Sequence, residues 1–236
     1  MLEAVLREGV VGRAIEREVL QVALHDLRDY SADRHRSVDD VAYGGGPGMV
    51  LKPEPFFRAV AAIRRRHGDP DAVVLLSPQG RVFRHEEAAR LSQLRHVALL
   101  CGRYEGVDER VREQVATDEL SIGDYVLSGG ELPAAVVIDA VARLVPGVVG
   151  DTRSVDEDSF VRGMLDHPHY TRPAEVDAHG VPDVLLSGHH AEIRHWRKRE
   201  AVRRTLERRP DLLEHAVLDD EERAILRELK DEGKGQ

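Results

Sequence analysis

A chain of 236 residues, 42% hydrophobic and 33% charged, is long enough to bury a substantial core and lies far from the disordered regime. Its formal charge of −9, taken alone, argues against a nucleic-acid partner, and a single cysteine, Cys101, excludes an intramolecular disulfide and points to a reducing compartment. The most apolar stretch, residues 134–149, is interrupted by Asp139 and Arg143 and broken at Pro146, and no basic leader opens the chain, so a soluble cytoplasmic protein is expected.

Residues 19–25 alternate apolar and polar side chains, which predicts a strand, and residues 29–49 read as a long polar, then glycine-rich loop. Residues 53–67 place Phe56, Phe57, Val60, Ala61 and Ile63 on or near one helical face. The short continuous apolar run 72–76 suits a strand buried on both faces of a parallel sheet. A turn at Ser77-Pro78-Gln79-Gly80, a helix near 86–94, a second buried strand at 96–101 and a helix over 108–116 follow. Residues 121–128 read as short and extended, and residues 132–144 as an apolar helix. Strands alternating with helices predict an α/β fold with a parallel, helix-covered sheet.

The pattern changes after Gly150. Residues 151–159 are polar and acidic with no apolar period and read as a linker, and the chain beyond is mostly helical. Residues 190–208 form a basic amphipathic helix carrying Ile193, Trp196, Val202 and Leu206. A short helix is expected over 210–217 and a last one over 219–232, with acids in its first turn and Gly233 just past its end. The expected organisation is an α/β domain at 1–149, a flexible linker at 150–158 and a helical domain at 159–236. Charge is local: Arg194, Arg197, Lys198, Arg199, Arg203, Arg204, Arg208 and Arg209 are opposed in their own segment only by Glu200 and Glu207.

Four segments carry glycines and polar residues where α/β folds place their ligands, beyond strand ends. YGGGPGM at 43–49 lacks the Gly-Lys-Ser/Thr ending of a phosphate loop and reads as a mobile loop on the substrate side. LLSPQGRVF at 75–83 and LLCGRYEGVDERV at 99–111 follow the two buried strands and would line one crevice. Glu105, an acid flanked by glycine at a strand end, suits a cationic ligand group such as an ammonium. SIGDYVLSGGELP at 121–133 is too long and too apolar for a plain connection. Its Gly123, Gly129 and Gly130 would open a backbone-lined slot able to read an adenine edge. His167, His169, His189 and His190 fall in loop-like segments without metal-ligand spacing, so no metal site is expected.

Taken in order, these segments resemble the bacterial tRNA (guanine-N1)-methyltransferases of the knotted SPOUT class. The resemblance also runs through GRAIE at 12–16, DRHRSVDD at 33–40, IDAVARLVPGV at 138–148, EDSF at 157–160, LDHPHYTRP at 165–173 and VPDVLLSGHHAEIRHWR at 181–197, and so covers essentially the whole chain. It implies a deep trefoil knot in the first domain, holding S-adenosylmethionine against Leu76, Ser77, Pro78, Gly80, Gly102, Tyr104, Glu105, Ile122, Gly123, Tyr125, Leu127, Gly129, Gly130 and Pro133. It implies methyl transfer to N1 of the guanine 3′ of the tRNA anticodon, with Asp158 as general base and Arg143 stabilising the guanine. It also implies a homodimer with the site at the subunit interface, Asp158 serving the partner's cofactor, and a magnesium requirement for which no dedicated cage is visible. RNA contacts are expected at Asp39, Arg194, Arg197, Lys198, Arg199 and Arg203. Family chains open with a short strand ahead of the helix that begins here at Met1-Leu2-Glu3, so either the true start is expected upstream or that strand is lost and the sheet weakened.

Overall fold

In a computed structural model describing residues 2–150 and 158–234, the apolar run beginning at Ala72 becomes the middle strand of a three-stranded parallel sheet. The chain divides after Gly150 into two compact units. The first contains helices α1 (Leu2–Leu6) and α2 (Gly9–Glu16), a two-residue ribbon of β1 (Asp39–Asp40) and β2 (Val50–Leu51), α3 (Pro53–His67) and β3 (Ala72–Val82). Then come α4 (His85–Ser92), β4 (Val97–Cys101), α5 (Glu109–Gln114), β5 (Asp118–Ser121) and α6 (Glu131–Arg143). The sheet order is β4-β3-β5.

The side-chain period of a strand sends Val73 and Leu75 to one face of β3 and Ala72, Val74 and Leu76 to the other. Both sets are buried. Val73 and Leu75 join Ala98 and Leu100 beneath Phe56 and Val60 of α3 and Val111 of α5. Val74 and Leu76 join Leu120 beneath Leu91 of α4 and Ala134 and Val137 of α6. A strand covered on both faces has no room for polar residues, which is why this stretch reads as an unbroken apolar run. α3 starts with Pro53 at its first turn, ends in Arg64, Arg65, Arg66 and His67, and stops at Gly68 with φ +83°.

Three local expectations need correction. Residues 19–25 form no strand; Val19, Leu20 and Val22 instead pack on Ala14, Ala142 and Val148, a helical cluster that absorbs the apolar side chains without a ladder. Ser77-Pro78-Gln79-Gly80 is not a turn ending a strand. β3 runs on to Val82, and Leu76 and Arg81 both face Leu120, so the intervening residues bulge out of the ladder. Residues 122–125 bend rather than extend, with Tyr125 N–H donating to the Gly123 carbonyl at 2.9 Å.

The second unit comprises a small hairpin, β6 (Glu175–Val176) with β7 (His179–Gly180), then α7 (Asp183–Leu186), α8 (His190–Arg208) and α9 (Asp220–Lys234), which contains Gly233 instead of stopping before it. Residues 210–217 hold only a 3-10 turn at Pro210–Glu214. The first turn of α9 is closed by a capping box: Glu222 N–H donates to Asp219 Oδ1 at 2.9 Å, and Asp219 N–H to Glu222 Oε2 at 2.8 Å. Met164, Val202, Ile225 and Leu229 form this unit's core. The linker expectation over 150–158 falls chiefly on residues 151–157, which lie outside the described residues. No helix among the described residues is long and apolar enough to cross a membrane.

Candidate active site

The segments beyond β3, β4 and β5 converge. Phe83 N–H donates to the Ser121 carbonyl at 2.7 Å, tying the end of β3 to the end of β5. Gly130 N–H donates to the Gly102 carbonyl at 2.8 Å, and Gly129 bridges Arg103, tying the segment after β5 to the one after β4. Arg103 Nε bonds Glu131 Oε1 at 2.7 Å across the same seam. Leu76, Ser77, Pro78, Gly80, Gly102, Tyr104, Glu105, Ile122, Gly123, Tyr125, Leu127, Gly129, Gly130 and Pro133 therefore all lie on these three segments or the first turn of α6.

Close backbone approach explains two of the glycines. A Cβ on Gly130 would sit 2.7 Å from Cys101 Cα, and one on Gly80 would sit 2.5 Å from Glu119 C and Leu120 N. The Gly80 bulge is held from outside by Arg81, whose guanidinium bonds Glu87 at 2.9 and 3.1 Å and Asp118 at 2.8 Å. The Arg81 hydrogen bond is the chief cause that keeps the Glu87 carboxyl below its ordinary value.

Around these strand ends the backbone is unusual and apolar side chains are uncovered. Tyr104 has φ +60°, a left-handed conformation uncommon for a bulky side chain. Tyr104 and Tyr125 are more than half exposed and Val126 is 81% exposed. The YGGGPGM segment borders this place. Glu105 N–H donates to the Met49 carbonyl at 3.0 Å, and the Glu105 carboxylate lies against Gly48, where a Cβ would strike it. Burial pushes the thiol of Cys101, at the end of β4, up to about 12, with the Glu131 charge adding to the effect. Asp39 sits in β1 opposite Leu51, on the ribbon leading into the glycine loop.

Two of the expected residues lie outside these segments. Arg143 ends α6, about 18 Å along the helix from its first residue at 1.5 Å per residue. Asp158 is the first described residue of the second unit, in a turn where Val161 N–H approaches its carbonyl at 3.4 Å.

The basic helix also divides. Lys198 bonds Asp219 at 2.7 Å and Glu221 at 2.6 Å; Arg199 bonds Glu228 and Glu232; Arg203 pairs with Glu200 and Glu207. Among the described residues Arg194 and Arg197 make no ion pair, nor do Arg204 and Arg208, which had only been counted in the charge. At 3.6 residues per turn these four arginines fall within about 80° of arc, a stripe about 21 Å long. Their shared helical phase is the sequence signal that could have picked them out.

Comparison with known proteins sets this geometry in a family. A family model described as tRNA (Guanine-1)-methyltransferase TrmD matches residues 1–215. The chain belongs to that family. A tRNA (guanine-N(1)-)-methyltransferase of Pelotomaculum thermopropionicum is 55% identical over 222 residues, covering 94% of this chain and 88% of its own. Proteins of the same name from Geobacter metallireducens (52% identical, covering 98% and 94%) and Brevibacillus brevis (52%, covering 99% and 96%) are similar along nearly the full length of both chains. Membership in the tRNA (guanine-1)-methyltransferase family is therefore a property of both units together.

Proposed function

We propose that this enzyme transfers the methyl group of S-adenosylmethionine to N1 of the guanine immediately 3′ of the anticodon in tRNA, in the cytoplasm. The observation that carries the reading is the seam at the ends of the sheet, where Gly130 N–H meets the Gly102 carbonyl and no side chain fits between them. We read the crossing as a deep trefoil knot. A crevice walled by backbone, with peptide groups of residues 122–130 on one side, fits an adenine edge and ribose better than it fits a charged ligand. Glu105 at its rim fits the amino group of the methionine moiety. When bound, S-adenosylmethionine supplies a methyl group on a positively charged sulfur, so the acceptor is what needs activation.

N1 of guanine carries a proton and attacks only as it leaves. Asp158 accepts that proton, and the Arg143 guanidinium donates to O6, where negative charge develops. The N1–CH3 bond forms as the S–CH3 bond breaks, with the bonding pair remaining on sulfur. A carboxylate is a weak base in water, and loss of its water on tRNA binding strengthens it.

The site is shared between two subunits. Arg143 lies far along α6 from its own crevice, yet it shares a helical face with Leu132 and Val136, which are 46% and 48% exposed. That face also carries the exposed Asp139, and we read it as the surface that meets a two-fold partner whose crevice would receive Arg143. In the second unit, the stripe of Arg194, Arg197, Arg204 and Arg208 takes tRNA phosphates. Lys198 and Arg199, paired with acids at the start of α9 and along it, hold the two helices together, and Arg203 is paired with Glu200 and Glu207 within its own helix. Asp39 lies beside the glycine loop that closes over the anticodon.

The test uses methyl-labelled S-adenosylmethionine with unmodified tRNA carrying guanine 3′ of the anticodon, followed by nucleoside analysis, with and without magnesium. Label appears as 1-methylguanosine with the natural protein and falls by about 10²–10⁴-fold in Asp158→Ala. Label on another nucleoside, or full activity in the variant, overturns the substrate or the base respectively.

A further inference from the structure

The second unit gathers three metal-binding side chains that the proposed methyl transfer does not use. Asp166, His167 and His169 each offer a ligand atom, and these atoms all lie within 4.8 Å of one another. We propose that they form a binding site for a divalent transition metal of the zinc class.

The chemistry of the set decides the ion. Two imidazoles and a carboxylate match the three-ligand sites of zinc, cobalt and nickel, whereas magnesium takes oxygen ligands and water. The imidazole of His167 is prepared for this role. Its Nδ1 lies 3.1 Å from the Pro168 carbonyl oxygen, the geometry of an N–H donated there, which leaves the lone pair on Nε2. That Nε2 faces Asp166 Oδ1 at 3.8 Å, beyond hydrogen-bond distance, with the side chain only 11% exposed. His169 Nε2 lies 2.7 Å from Asp166 Oδ2, and the two histidine rings are 4.4 Å apart between centroids.

A tetrahedral ion with ligands at about 2.0–2.1 Å spaces them about 3.3–3.4 Å apart, so movements below about 1.5 Å would close the set. Asp166 N–H already donates to Ser159 Oγ at 2.9 Å, which fixes the backbone that carries the carboxylate. His169 is 70% exposed, so a fourth position stays open to water. The site opens into a cavity of about 590 Å³ lined by Tyr170, Arg172, Trp196 and Arg197, all within the second unit. An ion there would tie the 159–169 segment into one rigid loop. This inference stands apart from the methyl-transfer reading and survives or falls without it.

The molecule contains its own reporter. Trp196 is the chain's single tryptophan, and its ring lies 6.4 Å from that of His167. Full-length protein stripped by a chelator is titrated with Co2+, following tryptophan emission and the visible cobalt absorption, then chased with Zn2+. The expected result is quenching that saturates at one equivalent, reversed by Zn2+ and untouched by millimolar Mg2+. His167→Ala and His169→Ala each weaken binding at least about 10-fold, since loss of a direct ligand costs no less than loss of an outer-shell partner. His169→Ala removes an exposed ring and keeps the fold testable if the buried His167→Ala does not fold. His189→Ala, elsewhere in the same unit, leaves the titration unchanged. Quenching that fails to saturate, or undiminished affinity in His169→Ala, overturns the site.

Discussion

Replacing Gly130 with alanine tests whether the seam under the candidate cofactor crevice is as tight as its geometry states. The backbone of Gly130 is ordinary, with φ −75° and ψ −5°, so alanine meets no torsional penalty there. The penalty is steric. The new Cβ would lie 2.7 Å from Cys101 Cα, 3.0 Å from Gly102 N and 3.1 Å from Cys101 Cβ, none of which can rotate away. Ordinary contact starts near 3.4 Å, so β4 and the loop must part by about 0.7 Å. That stretches the 2.8 Å bond from Gly130 N–H to the Gly102 carbonyl beyond useful length. Overpacking of about 1–3 kcal/mol and a lost bond of about 1 kcal/mol together cost about 2–4 kcal/mol. For a chain of this size that lowers Tm by about 5–15 °C. Thermal melts by circular dichroism, with calorimetric titration of S-adenosylmethionine, read both effects, and affinity should fall by more than about 10-fold if the crevice opens. Gly150→Ala, whose Cβ would meet nothing within 4 Å, is the control and should leave both unchanged. A Gly130→Ala protein that melts and binds like the natural one refutes the argument from close approach.

Three further outcomes follow from the same structure. Cys101, with its thiol pushed up to about 12, should resist a disulfide reagent at pH 8 in the folded protein and react quickly once denaturant is added. Because the folded value lies above the unfolded one, its effect on stability is constant below about pH 9 and is lost as pH rises toward 12, which chemical melts across that range would register. Arg162 bonds the buried Glu222 at 2.7 and 2.8 Å, so Arg162→Leu strands a buried carboxylate and should cost about 3 kcal/mol in urea melts. Glu222→Gln, which keeps an acceptor for Asp219 N–H and leaves a half-exposed arginine free to reach water, should cost about 1 kcal/mol; equal losses would contradict the asymmetry. Removing Arg197 or Arg204 should lower the salt dependence of tRNA binding by about 0.7–0.9 per residue, whereas Arg199→Ala should leave that slope alone and lower stability, and the reverse ranking would sink the stripe.

Local periodicity alone delimited several elements. The 3.6-residue pattern marked α3 at Pro53–His67, and the same pattern marked α8 at His190–Arg208. The continuous apolar run of β3 announced a strand covered on both faces, because double burial leaves no position for a polar side chain. The convergence of the glycine-bearing segments was legible too, and the ligand proposed for them rests on resemblance to a family.

Tertiary structure decided what depends on residues far apart in the chain. Ser77 to Gly80 carry every mark of a turn, yet β3 passes through them because β5, some 40 residues later, offers its edge on both sides of the bulge. The basic helix looked like one cationic surface. Only the packing of α9 revealed that Lys198 and Arg199 are held by acids 21 to 33 residues away. A helix or strand is recorded in the spacing of neighbours, whereas pairing, clash and charge neutralisation belong to groups that meet only once the chain has folded.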